Sequence, residues 1–145
     1  MALGDALARP LADFCRHLNW PVEVVVPVPL GKKRLQERGY NQVGLIALPL
    51  AAFNHLQYTP QALFRVRETK SQVGLSPLER QENMRGAFCA DPRRVRGRIV
   101  LLMDDVATTC ATLSAGAQAL LAAGASAVYA LTLARASPHH GLQVV

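Results

Sequence analysis

Cysteine is scarce in this chain. Cys15, Cys89 and Cys110 are odd in number, lie far apart and include no CxxC pair. That pattern argues against a disulfide framework and against a thiolate zinc site, and a reducing cytoplasm fits it best. Charge is thin as well, at 18% of residues against 50% hydrophobic, which excludes a disordered or polyelectrolyte chain. Lysine is nearly missing, with only Lys32, Lys33 and Lys70 among the 16 basic residues. Long apolar runs are missing too. The longest, residues 43–53, is interrupted by Pro49, whereas a spanning helix needs about 20 apolar residues, so no membrane insertion is expected. The first residues do not lead from a basic start into an apolar stretch and cleavage site, so secretion is not indicated.

What is present predicts one domain over 1–145, because 145 residues fall in the common single-domain range of about 100–150. The net charge is +6, carried mostly by arginine. Arginine's planar fork suits phosphate and nucleic acid, but solubility explains a charge of this size equally well. Composition therefore stops at an anionic partner.

Leu3, Leu7, Leu11, Phe14 and Leu18 recur at helical spacing in residues 1–20, with a break or bend at Pro10. Residues 22–28 are valine-rich and read as a buried parallel strand that Pro27 should end near Val26. A basic loop follows, then a helix capped by Asn41 and running to about Asn54, kinked near Pro49. Residues 61–66 are a short strand candidate. Residues 67–88 lack a sustained period, apart from a short helix over 77–84 with Ser76 as its cap. A connection of this length is usually functional or disordered. The clearest strand is 98–103, followed by a helix over 112–123 with Leu113, Leu120 and Leu121 inward and Gly124 as its stop. Another strand covers 128–134, and 136–141 reads as loop. This alternation predicts an α/β fold: an open, mostly parallel twisted sheet with helices on both faces.

Asp104 and Asp105 sit at the carboxyl end of the clearest strand, where ligands bind in open α/β sheets. Thr108, Thr109 and Thr112 follow, leading into a helix N-terminus. Hydroxyls and unpaired helix amides make a phosphate cradle. The carboxylates suit the vicinal hydroxyls of a sugar, or help to place Mg²⁺. The combination points to a phosphorylated sugar. Taken without the threonines, an acidic pair at a strand end is as readily a solvated terminus.

Residues 99–113 resemble the phosphoribosyl pyrophosphate (PRPP) signature of the type I phosphoribosyltransferases. More narrowly, the chain resembles the ComF/GntX family of competence-related phosphoribosyltransferase-like proteins. Val26-Pro27-Val28-Pro29-Leu30, Arg34 to Gln42, Arg67-Glu68-Thr69 with Gln72, Arg80, Asn83, Gly86-Ala87-Phe88 and Leu131 to Arg135 carry that resemblance. It implies that Asp104 and Asp105 contact the ribose hydroxyls. It assigns the 5′-phosphate to Ala107, Thr108, Thr109, Cys110, Ala111 and Thr112, and the pyrophosphate to Leu30 to Arg34, with Lys32, Lys33 and Arg34 stabilising the leaving group. Residues 67–88 take the place of a flexible loop that closes over the reaction centre. Mg²⁺ would be held mainly through PRPP, and single-stranded DNA, competence-machinery proteins and a second copy of the chain are the implied partners.

The chain departs from the family pattern in two places. The family usually has glycine where this chain has Cys110, so a positive φ there would strain the phosphate loop. A thiol beside a helix N-terminus also tends toward a lowered pKa and oxidation, set against an inert small residue. Family members usually begin with a cysteine-rich zinc module and a further part of the α/β domain. Neither has a counterpart in residues 1–20, so the chain is read as a short member or a fragment, and properties resting on that module are not carried over.

The remaining basic residues leave two readings open. Arg65, Arg67, Lys70, Arg80 and Arg85 flank the long segment and either close over PRPP or grip a nucleic-acid backbone. Arg93, Arg94, Arg96 and Arg98 precede a strand at the end opposite the acids and read as a solvated turn or a nucleic-acid surface. His139 and His140 have no neighbours to complete a metal site. The functions in play are a phosphoribosyltransferase, a non-catalytic PRPP- or single-stranded-DNA-binding competence factor, and a degenerate homologue.

Overall fold

The structure, a computed structural model, describes residues 2–31, 36, 37, 39, 41–67, 69, 73–107, 110–137 and 141–144. In chain order the elements are α1 (Ala2–Leu18), β1 (Val24–Pro27), α2 (Gly44–Phe53), β2 (Gln57–Tyr58), β3 (Leu63–Arg65), α3 (Pro77–Met84), β4 (Phe88–Ala90), α4 (Pro92–Val95), β5 (Ile99–Ala107), α5 (Ala111–Ala122), β6 (Ala127–Ser137) and β7 (Gly141–Val144). Five strands form one sheet in the order β2-β1-β5-β6-β7, and β3 and β4 form a separate antiparallel pair. The first four strands of the large sheet run parallel, and β7 returns antiparallel to β6.

Two cores lie on opposite faces of this sheet, and strand alternation sorts residues between them. Val24, Val26, Val28, Val100 and Leu102 pack with Leu113 and Leu120 of α5, with Leu63 of β3 and Phe88 of β4, and with Met84 of α3. Val25, Leu101, Met103 and Leu131 pack with Ala8, Ala12 and Cys15 of α1, and with Ile46, Ala47 and Leu50 of α2. The mostly parallel sheet with helices on both faces is thus the fold the alternation predicts.

Several local readings are corrected. β1 includes Pro27, which pairs with Met103. Proline is tolerated there because the side of β1 that would need its N–H faces β2, and that pairing ends at Val25 and Tyr58. Asn41 does not cap α2 directly. Its Oδ1 accepts the Val43 amide (3.1 Å), while α2 begins at Gly44 with no side-chain cap. Leu121 is half exposed rather than inward, because the buried stripe of α5 runs through Leu113, Gly116 and Leu120. A Cβ on Gly116 would lie 3.2 Å from Leu102 Cδ2, so that glycine lets the helix sit close on β5. β5 continues to Ala107, because β6 stays beside it out to Arg135. Residues 136–141 are not simply loop, since they include the last residues of β6 and the start of β7.

The predicted helix over 77–84 forms with its cap. Ser76 Oγ accepts the Glu79 amide (3.2 Å), and Glu79 Oε1 accepts the Ser76 amide (3.3 Å), a reciprocal capping box.

Candidate functional site

The topology alone marks a site. From β1 the chain passes through α2 on one face to β2, while from β5 it passes through α5 on the other face to β6. The two crossovers leave in opposite directions, so a crevice opens between the carboxyl ends of β1 and β5. The last bond across it runs from the Val28 amide to the Met103 carbonyl (2.8 Å). Asp104 and Asp105 are the next two residues of β5, and Pro29, Leu30 and Gly31 lead away from β1.

Asp104 lies opposite buried Thr132 of β6. Both aspartates are half-buried. Burial pushes the Asp104 carboxyl up to about 7; the Asp105 amide opposes this by donating to Asp104 Oδ1 (2.9 Å). The Asp105 charge and a hydrogen bond between the two carboxyls raise it further, and Arg65 pulls it down. Strict alternation would send these side chains to opposite faces, yet they remain within bonding reach of each other. Burial and the neighbouring carboxyl favour the protonated form of Asp104, and together the two side chains can bond two neighbouring hydroxyls.

Beyond β5, α5 opens at Cys110, which has φ 60° and ψ 17°. This is the left-handed conformation in which the resemblance would place glycine. Cys110 is exposed and gives α5 no side-chain cap, so the first-turn amides of α5 can serve an anion. Ala111 is buried and Thr112 half-buried. The backbone of Ala107 ends β5. Thr108 and Thr109 lie outside the described residues, as do Lys32, Lys33 and Arg34, together with Arg38, Tyr40, Glu68, Lys70, Gln72, His139 and His140. Asn41 braces the β1 exit by donating from Nδ2 to the Val28 carbonyl (3.0 Å).

The arginines around the long segment divide by role. Arg65 reaches from β3 to the Pro29 carbonyl (Nε to O, 3.0 Å), so it stands at the crevice. Arg67 turns elsewhere and donates to the carbonyls of Asn83 (2.7 Å) and Arg85 at the C-terminal end of α3. Arg85 pairs with Glu82 (3.1 Å). Arg93, Arg94, Arg96 and Arg98 are exposed around α4, before β5 and away from the crevice. Asp91 pairs with Arg93 and Arg94, and Glu23 with Arg98.

No family model matches the chain. Individual relatives do. The chain is 40% identical over 111 residues to DNA utilization protein YhgH of Escherichia coli K12, covering 77% of this chain and 48% of that protein. It is 34% identical to competence protein F of Haemophilus influenzae, over 79% of this chain and 51% of that protein. It is 35% identical to competence protein ComFC of Bacillus subtilis, over 77% of this chain and 44% of that protein. The chain is homologous to the ComF/YhgH competence proteins. It spans about half the length of the curated relatives it matches.

Solved structures show the same fold. Glutamine PRPP amidotransferase from B. subtilis aligns with a TM-score of 0.61 at 21% identity, over 89% of this chain and 25% of that one. Adenine phosphoribosyltransferase from Leishmania donovani aligns at 0.56 and 15% identity, over 91% and 52%. The ComF-like chain therefore has the open α/β fold of type I phosphoribosyltransferases.

Sequence reasoning did not single out Arg65 from its neighbours, nor Thr132. Arg65 lies two residues beyond Leu63 on β3 and so shares its face, a period-2 signal that separates it from Phe64 but not from Arg67. Among the described residues, no three His, Cys, Asp or Glu side chains gather as a metal group, and no helix is long and apolar enough to cross a membrane.

Proposed function

We propose that this chain binds Mg-PRPP in the β1–β5 crevice and transfers or releases its phosphoribosyl group with loss of pyrophosphate. The observation that carries the reading is the pair of convergent carboxyls, Asp104 and Asp105, at the topological switch point. In this reading they accept the ribose hydroxyls. The amides at the start of α5, with Thr108, Thr109 and Thr112, hold the 5′-phosphate. The β1-exit loop, with Lys32, Lys33 and Arg34, faces the pyrophosphate and offsets the charge that grows as it leaves.

Asp104 and Asp105 carry the carboxylate oxygens that would help to place a magnesium ion brought with the pyrophosphate. When bound, that ion would neutralise leaving-group charge. The chemistry asks the chain for positioning, charge and exclusion of water more than for a protein nucleophile. A role in DNA uptake, and a reducing cytoplasmic setting that suits three free cysteines, belong to the same proposal through the competence relatives.

The second reading is a non-catalytic competence factor that binds PRPP or single-stranded DNA. The exposed arginines around α4 favour it, since they lie away from the crevice and suit a phosphate backbone. Pyrophosphate release from Mg-PRPP in the presence of candidate acceptor bases and amines tests the first reading. Binding to single strands that weakens steeply with salt, without turnover, supports the second.

A further inference from the structure

Arg65 hydrogen-bonds the small β3–β4 unit to the β1 exit. Its Nε donates to the Pro29 carbonyl (3.0 Å) and its Nη1 donates to Thr69 Oγ1 (3.1 Å). Its guanidinium lies over the Phe88 ring, 5.0 Å from the centroid, and Phe88 is its cross-strand partner. Three elements therefore meet at one planar group: the loop leaving β1, the start of the long segment after β3, and β4. A lysine could supply the charge but not the two-point fork or the flat stack. Neighbouring Arg67 serves a different end, tying α3 back to β3. The small unit also packs in one core with α5 through Leu63 and Phe88, so the Arg65 bond to Pro29 runs from the layer that covers α5 to the β1 exit.

We propose that Arg65 is a positioning residue for the pyrophosphate end of the ligand: through the Pro29 carbonyl it fixes the β1-exit loop, and through Thr69 it ties the long segment to the same point. This deepens the PRPP reading and rests on it for the identity of the ligand. It separates the pocket into two halves. The ribose and 5′-phosphate are served by β5 and α5, which Arg65 reaches only through its charge near Asp104. The pyrophosphate is served by the loop that it holds.

The test uses the full chain with Arg65→Gln and Arg65→Lys. Amide exchange without ligand reads the clamp itself. Arg65→Gln is expected to speed exchange of the Leu30 and Gly31 amides by about ten-fold or more, since a charge-assisted bond is lost, with α5 unchanged. Calorimetric titrations with Mg-PRPP and with ribose 5-phosphate read the consequence. Affinity for Mg-PRPP should fall by about ten-fold in both variants, while ribose 5-phosphate, which lacks the pyrophosphate, should change by no more than about two-fold. Arg65→Lys guards against a glutamine variant that fails to fold.

Unchanged exchange at Leu30 and Gly31 overturns the proposal. So does equal loss of both ligands, which marks a merely structural residue, and so does a lysine variant indistinguishable from wild type. If folded wild-type protein binds no Mg-PRPP, the PRPP reading fails, and the exchange result still decides whether Arg65 clamps the loop.

Discussion

Replacing Cys110 with glycine should make this protein more stable. Cys110 holds φ 60° and ψ 17° at the start of α5, where an L-residue is disfavoured by about 1–2 kcal/mol and glycine is not. Glycine also has more freedom to lose on folding, which offsets roughly 0.4–1 kcal/mol of that gain. The thiol is exposed, so its removal forfeits little packing. The net expectation for Cys110→Gly is a stabilisation of about 0.5–1 kcal/mol, or a Tm rise of roughly 1–4 °C for a domain of this size. Cys110→Ala keeps the Cβ and should stay within about 0.5 kcal/mol of wild type, while Cys110→Val should destabilise, because β-branching worsens the left-handed conformation. Urea unfolding followed by Trp20 fluorescence measures all three, since Trp20 stacks on Tyr129 at 5.0 Å between centroids. A glycine variant no more stable than the alanine variant refutes the strain argument. Mg-PRPP affinity of the same variant carries a second message, for a large gain would show that the natural residue narrows the phosphate loop.

Other expectations follow from the acids and the cap. The folded-state pKa of Asp104, about 7, lies above the ordinary carboxyl value near 4. Between those two values the folded chain holds the extra proton, so stability should fall as pH rises through this window and level off above it. Asp104→Asn should remove this fall and stabilise the protein at pH 8 by about 1–2 kcal/mol; unfolding midpoints from pH 4 to 8 decide it, and an unchanged slope contradicts the assigned burial. Ser76→Ala should cost about 1 kcal/mol through the lost capping box, seen as faster amide exchange confined to α3. If protection in α3 is unaltered, the cap does not hold that helix.

The parts of the fold legible in sequence are those where one local rule dominates. The valine run of β1, the apolar β5 and the Ser76-Pro77 start of α3 needed no tertiary context. Strands of two or three residues, such as β2 and β4, carry too few side chains to show alternation, and β4 exists because β3 lies beside it. Pro27 misled because its tolerance depends on β2 stopping at Tyr58, which only the assembled sheet reveals. In the site, Asp104 and Asp105 were legible from their position at a strand end. Their mutual approach and the high pKa of Asp104 were not, because the burial that raises it comes only with the assembled crevice, where Arg65, distant in sequence, pulls the other way. Cys110 was legible as a departure from a glycine pattern, and its positive φ gives that departure a physical meaning.

The most direct test of the account is calorimetric titration of the folded chain with Mg-PRPP, beside Asp104→Asn/Asp105→Asn. The account predicts magnesium-dependent binding by the wild type and its loss in the double variant, with the circular dichroism spectrum of the fold retained. Binding of equal strength in the double variant, or none by folded wild-type protein, would contradict it.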